Sequence, residues 1–96
     1  MTKEYILEVL KKNKPLLEEK YGVEKIGLFG SYATNNATDE SDIDIFVKLK
    51  EYKFRKIAGL WNFLENTYHK KVDLFREKTN SHGAMYEYIK KETIFI

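Results

Sequence analysis

From Thr2 to Tyr21 the apolar residues Ile6, Val9, Leu10, Leu16, Leu17 and Tyr21 recur at helical spacing. Pro15 falls inside that run, so the pattern predicts either two short helices or one kinked helix. Gly22 ends it as a C-cap glycine would. Lys25–Phe29 reads as a short strand. Residues 30–40 hold no strong period and read as a loop with room for one helical turn. Asp42–Leu49 predicts a second strand, its alternation clearest at the start.

Tyr52–His69 predicts a long helix. Phe54, Ile57, Trp61, Leu64 and Tyr68 form one buried stripe, Leu60 widens it, and Phe63 falls off its centre. Lys71–Phe75 predicts a third strand. Asn80 or Ser81 is the expected cap of a last helix reaching Lys91, with Met85, Tyr86 and Ile89 turned inward. Thr93–Ile96 is β-branched and apolar, as a terminal edge strand would be. The order α-β-β-α-β-α-β predicts an α/β fold, a small mixed β-sheet covered by helices.

Composition narrows this picture. At 96 residues the chain is expected to be one domain spanning 1–96, and 43% hydrophobic content argues against disorder. The absence of Cys excludes disulfide scaffolds, thiolate zinc sites and thiol nucleophiles. No apolar stretch is long enough to span a membrane, and residues 1–20 lack the core of a secretory signal. A soluble cytoplasmic protein without a membrane partner is expected. The net charge of +2, with no Lys/Arg run longer than a pair, is too weak a bias to predict direct nucleic-acid binding. Only 4 of the 15 acids are Asp, so each short, stiffly held carboxylate asks for a reason.

Two of the four stand together. Gly30-Ser31 closes the first strand, and ten residues later comes Asp42-Ile43-Asp44. In a strand of period 2, Asp42 and Asp44 project from one face, their β-carbons about 7 Å apart. Like charges at that range disfavour each other's ionisation, and a divalent cation relieves the conflict. Hard oxygen ligands without Cys or His suit Mg²⁺, with Mn²⁺ as an alternative. Backbone amides at Gly30-Ser31, with the Ser31 hydroxyl, suit phosphate oxygens if a helical turn follows. Phosphate beside a carboxylate-held metal suggests phosphoryl or nucleotidyl transfer.

Gly30-Ser31-x10-Asp42-x-Asp44 resembles the signature of the polymerase β-like nucleotidyltransferases. The flanks Gly27-Leu28-Phe29-Gly30-Ser31-Tyr32-Ala33 and Ser41-Asp42-Ile43-Asp44-Ile45 are similar to the minimal nucleotidyltransferase family. The likeness extends over nearly the whole chain. It implies the nucleotidyltransferase fold and transfer of AMP from ATP, with Mg²⁺, to a hydroxyl, releasing pyrophosphate. It also implies the role of antitoxin to a HEPN-family ribonuclease toxin, a tyrosine of which is the acceptor. By position it makes Asp42, Asp44 and Asp73 the catalytic metal ligands. Asp73 would also act as base toward the acceptor, and Gly30 and Ser31 would contact the phosphates. Where the family usually has Arg-Gly shortly after the Gly-Ser, this chain has Thr34-Asn35.

An alternative reading is an antitoxin that neutralises its partner by binding and occlusion, with little or no catalysis. A third is a nucleotidyltransferase acting on a small molecule or RNA end, for which a chain this short has no acceptor domain. Among the tyrosines, Tyr32 lies beside the Gly-Ser and is the one to consider for self-modification. His69 and His82 sit near helix ends and read as surface residues.

Overall fold

A computed structural model describes residues 1–77 and 83–96. Helix α1 spans Lys3–Tyr21 and strand β1 Val23–Phe29; β2 is Ile43–Leu49, α2 Phe54–Tyr68 and β3 Val72–Arg76, followed by α3, Ala84–Glu92, and β4, Ile94–Phe95. The expected caps Asn80 and Ser81, and His82, lie outside the described residues.

The four strands form one mixed sheet in the order β3-β2-β1-β4. β1 runs antiparallel to β2 and to β4, while β2 and β3 are parallel and joined through α2. The helix-spaced apolar residues explain which face is covered. Ile6, Leu10 and Leu17 of α1 and Ile57, Leu60, Leu64 and Tyr68 of α2 pack into one core with Ile26, Leu28, Ile43, Ile45, Val47 and Leu74 of the sheet. Each such side chain, fully buried, contributes about 1.5–3 kcal/mol.

α1 is one continuous helix with Pro15 inside it. Leu10 and Leu17, on either side of the proline, are both buried in the same core, so tertiary packing holds the helix together across the missing backbone bond. Thr2 caps its start, its hydroxyl accepting from the Tyr5 amide, and Gly22 closes it in the left-handed conformation. Leu16, placed in the apolar pattern, is 41% exposed; Leu17 carries that turn's burial.

Two other expected core positions are corrected. Phe54 is 83% exposed. It is the first residue of α2, and helix side chains lean toward the N-terminus, so its ring projects past the helix's packed turns. Met85 is 74% exposed. The inner face of α3 runs through Tyr86, Ile89 and Lys90, which leaves Met85 about a quarter turn away.

The opposite face of the sheet carries an aromatic layer. Phe46 of β2 is fully buried beneath it, stacked on Phe75 at 5.7 Å and edge-on to Phe95 at 5.4 Å, with Tyr86 of α3 at 6.5 Å. Tyr86 donates to Glu77, which is itself buried. That bond, with burial and the Glu77 charge behind it, pushes the Tyr86 phenol up to about 12.

Candidate active site

The site begins where β1 stops. Gly30 follows Phe29 with φ +77°, a left-handed conformation that a side chain disfavours. Space gives a second reason for glycine. A β-carbon at Gly30 would overlap the carboxylate of Asp44, which reaches across from β2 to lie against the Gly30 backbone. The pairing of Phe29 with Asp44 brings this about.

The turn after Gly30 is a single tight one over residues 31–35, as the aperiodic stretch allows. Its own hydrogen bonds begin at Ala33, whose amide donates to the Gly30 carbonyl, and continue with Thr34 to Gly30 and Asn36 to Ser31. The Ser31 and Tyr32 amides therefore stand outside its ladder, beside the half-buried Ser31 side chain. Thr34 fastens the turn from within. Its hydroxyl lies 3.3 Å from both the Gly30 and the Ser31 carbonyl oxygens and accepts from Asn36 Nδ2 at 3.0 Å. Asn35 takes φ +62°, where the family pattern has glycine; asparagine is the side chain that tolerates this region best. Tyr32 is only 6% exposed, with its hydroxyl toward the Thr38 carbonyl, so it is not presented for self-modification.

The carboxylates follow from the sheet. Asp44 and Asp73 are directly paired across the parallel strands β2 and β3, which places their backbones about 4.8 Å apart. Both point to the face opposite α1 and α2, in line with the aromatic layer two residues on at Phe46 and Phe75. Asp42 is not in the strand: β2 begins at Ile43, and Asp42 is an exposed residue just before it. The loop that delivers it is pinned by the Thr38 amide donating to Ser41 Oγ and by Lys70 Nζ donating to the Asp39 carbonyl. His69 closes α2 in a left-handed, exposed position, as a surface residue.

Electrostatically, Asp44 is the stressed member. Partial burial, then the charges of Asp73 and Asp42, push its carboxyl up from 3.8 to about 6. The side chains are not pre-drawn into a cage: among the described residues no three His, Cys, Asp or Glu are grouped closely enough to hold an ion. Asp44, Asp73 and the nearby Asp42 nevertheless supply only hard oxygen donors at a place short of positive charge, and that donor chemistry fits Mg²⁺ or Mn²⁺.

Beyond β3 lies a cavity of about 600 Å³, with Asp42, Lys71 and Asp73 at one side and Phe54, Ile57, Ala58 and Trp61 of α2 along its wall. Two features here have no clear sequence signal. Trp61, expected in the core, is half-buried, and its indole N–H donates to the Val72 carbonyl at 2.6 Å. Glu65 accepts from the Val72 amide at 3.0 Å. The aromatic layer does have a signal: Phe46 and Phe75 each follow an aspartate by two, the period of one strand face.

Among the described residues no helix is long and apolar enough to cross a membrane.

Comparison with known proteins agrees with this geometry. The family model for polymerase β-type nucleotidyltransferases matches residues 11–96. A relative from Methanocaldococcus jannaschii is 38% identical over 94 residues, covering 95% of this chain and 94% of its own length. The protein adenylyltransferase MntA of Thermococcus cleftensis is 32% identical over 97 residues, with 100% and 97% covered. A solved structure assigned as a minimal nucleotidyltransferase superposes with a TM-score of 0.79 at 26% identity, covering 98% of this chain and 95% of that one. A toxin–antitoxin crystal structure containing AMP-PNP superposes with a TM-score of 0.57 at 27% identity, covering 84% and 61%. A chain whose Gly30 turn receives an Asp44 paired with Asp73, and whose sequence matches that model over most of its length, belongs to the polymerase β nucleotidyltransferase family.

Proposed function

We propose that this chain is the adenylyltransferase antitoxin of a HEPN-family toxin, working in the cytoplasm. It moves AMP from ATP to a hydroxyl of that partner, a tyrosine. The observation that carries the reading is the placement of Asp44 beneath Gly30 and beside Asp73. The MntA relative and the AMP-PNP-containing toxin–antitoxin neighbour support it.

In this reading the turn at Gly30-Ser31 binds the triphosphate through the Ser31 hydroxyl and the amides outside the turn's ladder. Asp42, Asp44 and Asp73 hold divalent cation, Mg²⁺ or Mn²⁺, which supplies charge neutralisation and a template for in-line displacement. Asp73 accepts the proton of the acceptor hydroxyl. The hydroxyl oxygen bonds to the α-phosphorus, the bridging bond to the β-phosphate breaks, and pyrophosphate leaves with that electron pair. The chain's share of the catalysis is positioning.

The test is incubation with labelled ATP, Mg²⁺ and the HEPN partner. Label should pass to the partner, and Asp42→Ala and Asp44→Ala should abolish the transfer in proteins that still fold. Absence of transfer by the wild type to a correctly folded partner refutes the reading.

Thr34 favours a second reading. Its hydroxyl is engaged within the turn and offers no cation to phosphate. Under that reading the chain neutralises its partner by occlusion, and an Asp44→Ala protein would still protect cells.

A further inference from the structure

The sheet sets the parts of the candidate site in a row. The Gly30-Ser31 turn lies at the end of β1, Asp44 on β2, Asp73 on β3, and the cavity against α2 lies past β3, the outer strand. In-line displacement puts the leaving and attacking oxygens on opposite sides of the phosphorus. With the triphosphate on the Gly30 side, the attacking hydroxyl approaches from the Asp73 side, where the cavity begins.

That cavity is built to receive something. Glu65 and Trp61 of α2 bind the amide and carbonyl of Val72, so the outer edge of β3 is sealed at its start and cannot pair with another strand there. What remains is a groove rather than an edge. Its α2 wall carries Ile57, Ala58 and the half-buried Trp61 with Asn62 and Glu65 beside them, and Phe54 stands at its far end 83% exposed. Arg76 lines that groove as well. An exposed phenylalanine on an otherwise well-packed helix has no structural role in the isolated chain, and aromatic side chains lining pockets are the usual anchors of protein recognition.

We propose that the groove between α2 and β3 is the acceptor-side subsite. It seats a large apolar side chain of the protein substrate that neighbours the modified hydroxyl, held between Phe54 and Trp61, and so delivers the hydroxyl to Asp73. This rests on the AMP-transfer reading and adds to it a determinant of substrate choice.

Two variants test it at exposed positions, where folding is not at stake: Phe54→Ala, which removes the anchor, and Asn62→Trp, which fills the groove. The assays are AMP transfer to the HEPN partner and, separately, binding of that partner without ATP. Both variants should raise the KM for the partner by about tenfold or more while kcat at saturating partner and the KM for ATP stay within about threefold. Partner affinity should fall by the same factor. If the wild type transfers AMP and both variants match it in KM and in affinity, the groove is not the subsite, and the AMP-transfer reading stands. If the wild type transfers nothing, that reading fails. The acceptor role fails with it, and the binding arm then decides only whether the groove seats the partner: a loss of about tenfold supports that, and unchanged affinity overturns it.

Discussion

Replacing Asp44 by Asn should make the metal-free protein more stable at neutral pH while ending transfer. The carboxyl is pushed from 3.8 to about 6 by burial and by Asp73 and Asp42, so its charged form is disfavoured in the folded chain relative to the unfolded one. A shift of that size corresponds to about 3 kcal/mol before screening, at about 1.4 kcal/mol per tenfold. Asp44 is only partly buried, and solvent screening reduces the expected effect to about 1–1.5 kcal/mol. The sign follows from proton binding. Between pH 3.8 and about 6 the folded protein holds a proton that the unfolded chain has released, so stability falls as pH rises through that window. The amide introduced by Asp44→Asn cannot ionise, and the variant escapes the loss. Urea denaturation in a chelator at pH 7.5 should show the variant ahead by about 1–1.5 kcal/mol, the gap shrinking toward zero by about pH 4. A variant equal to or less stable than wild type at pH 7.5, or a gap independent of pH, refutes the account.

Other perturbations report on separate links. Mg²⁺ added above pH 6 should raise the melting temperature of the wild type but not of Asp44→Asn, because only the former has the strained charge to neutralise. Gly30→Ala should cost about 1–2 kcal/mol for its left-handed backbone alone, more for the overlap with Asp44, and transfer should fall with it; a fully active, equally stable Ala variant contradicts the packing. Tyr68→Phe deletes a buried hydroxyl that donates to the Ile6 carbonyl at 2.8 Å and should cost about 1 kcal/mol by urea denaturation, leaving the KM for ATP unchanged. Spectrophotometric titration should find one phenol, absent from Tyr86→Phe, that ionises at about pH 12.

How far the sequence can be read depends on whether a position's fate is set locally. The Gly30-Ser31 turn, the β2 carboxylate Asp44 and the stripe Ile57, Leu64 and Tyr68 are local: period and turn chemistry place them, and the structure has them there. Alternation puts Asp42 on the strand face with Asp44, but pairing of β2 starts one residue later, and nothing in the pattern marks that start. The partnership of Asp44 with Asp73 depends on the register between strands 29 residues apart in sequence, which only the assembled sheet fixes. Phe54 and Met85 fit their helical periods, yet a period gives a face and not the extent of what lies opposite; each sits where the covered surface ends. The continuity of α1 across Pro15 is undecidable from the pattern for the same reason, since Leu10 and Leu17 hold it through contacts made elsewhere.

The placement of Asp44 ties these observations to function. A chain selected for stability alone would have no cause to put a carboxylate against a glycine backbone, beside Asp73 and near Asp42, with its titration pushed up to about 6. An apolar residue at position 44 would extend the aromatic layer of Phe46 and Phe75 and remove the repulsion. The retained repulsion makes sense if a bound cation brings the missing positive charge and gains binding strength from relieving it. The same logic reaches past β3. Trp61 and Glu65 close the strand edge at Val72, while Phe54 stays bare at the far end of the groove, unfavourable in water until another surface covers it. Under the proposed function, the strained charge on one side of Asp73 and the bare Phe54 ring on the other are the two places that ligands would complete, nucleotide at Gly30 and a protein surface at α2.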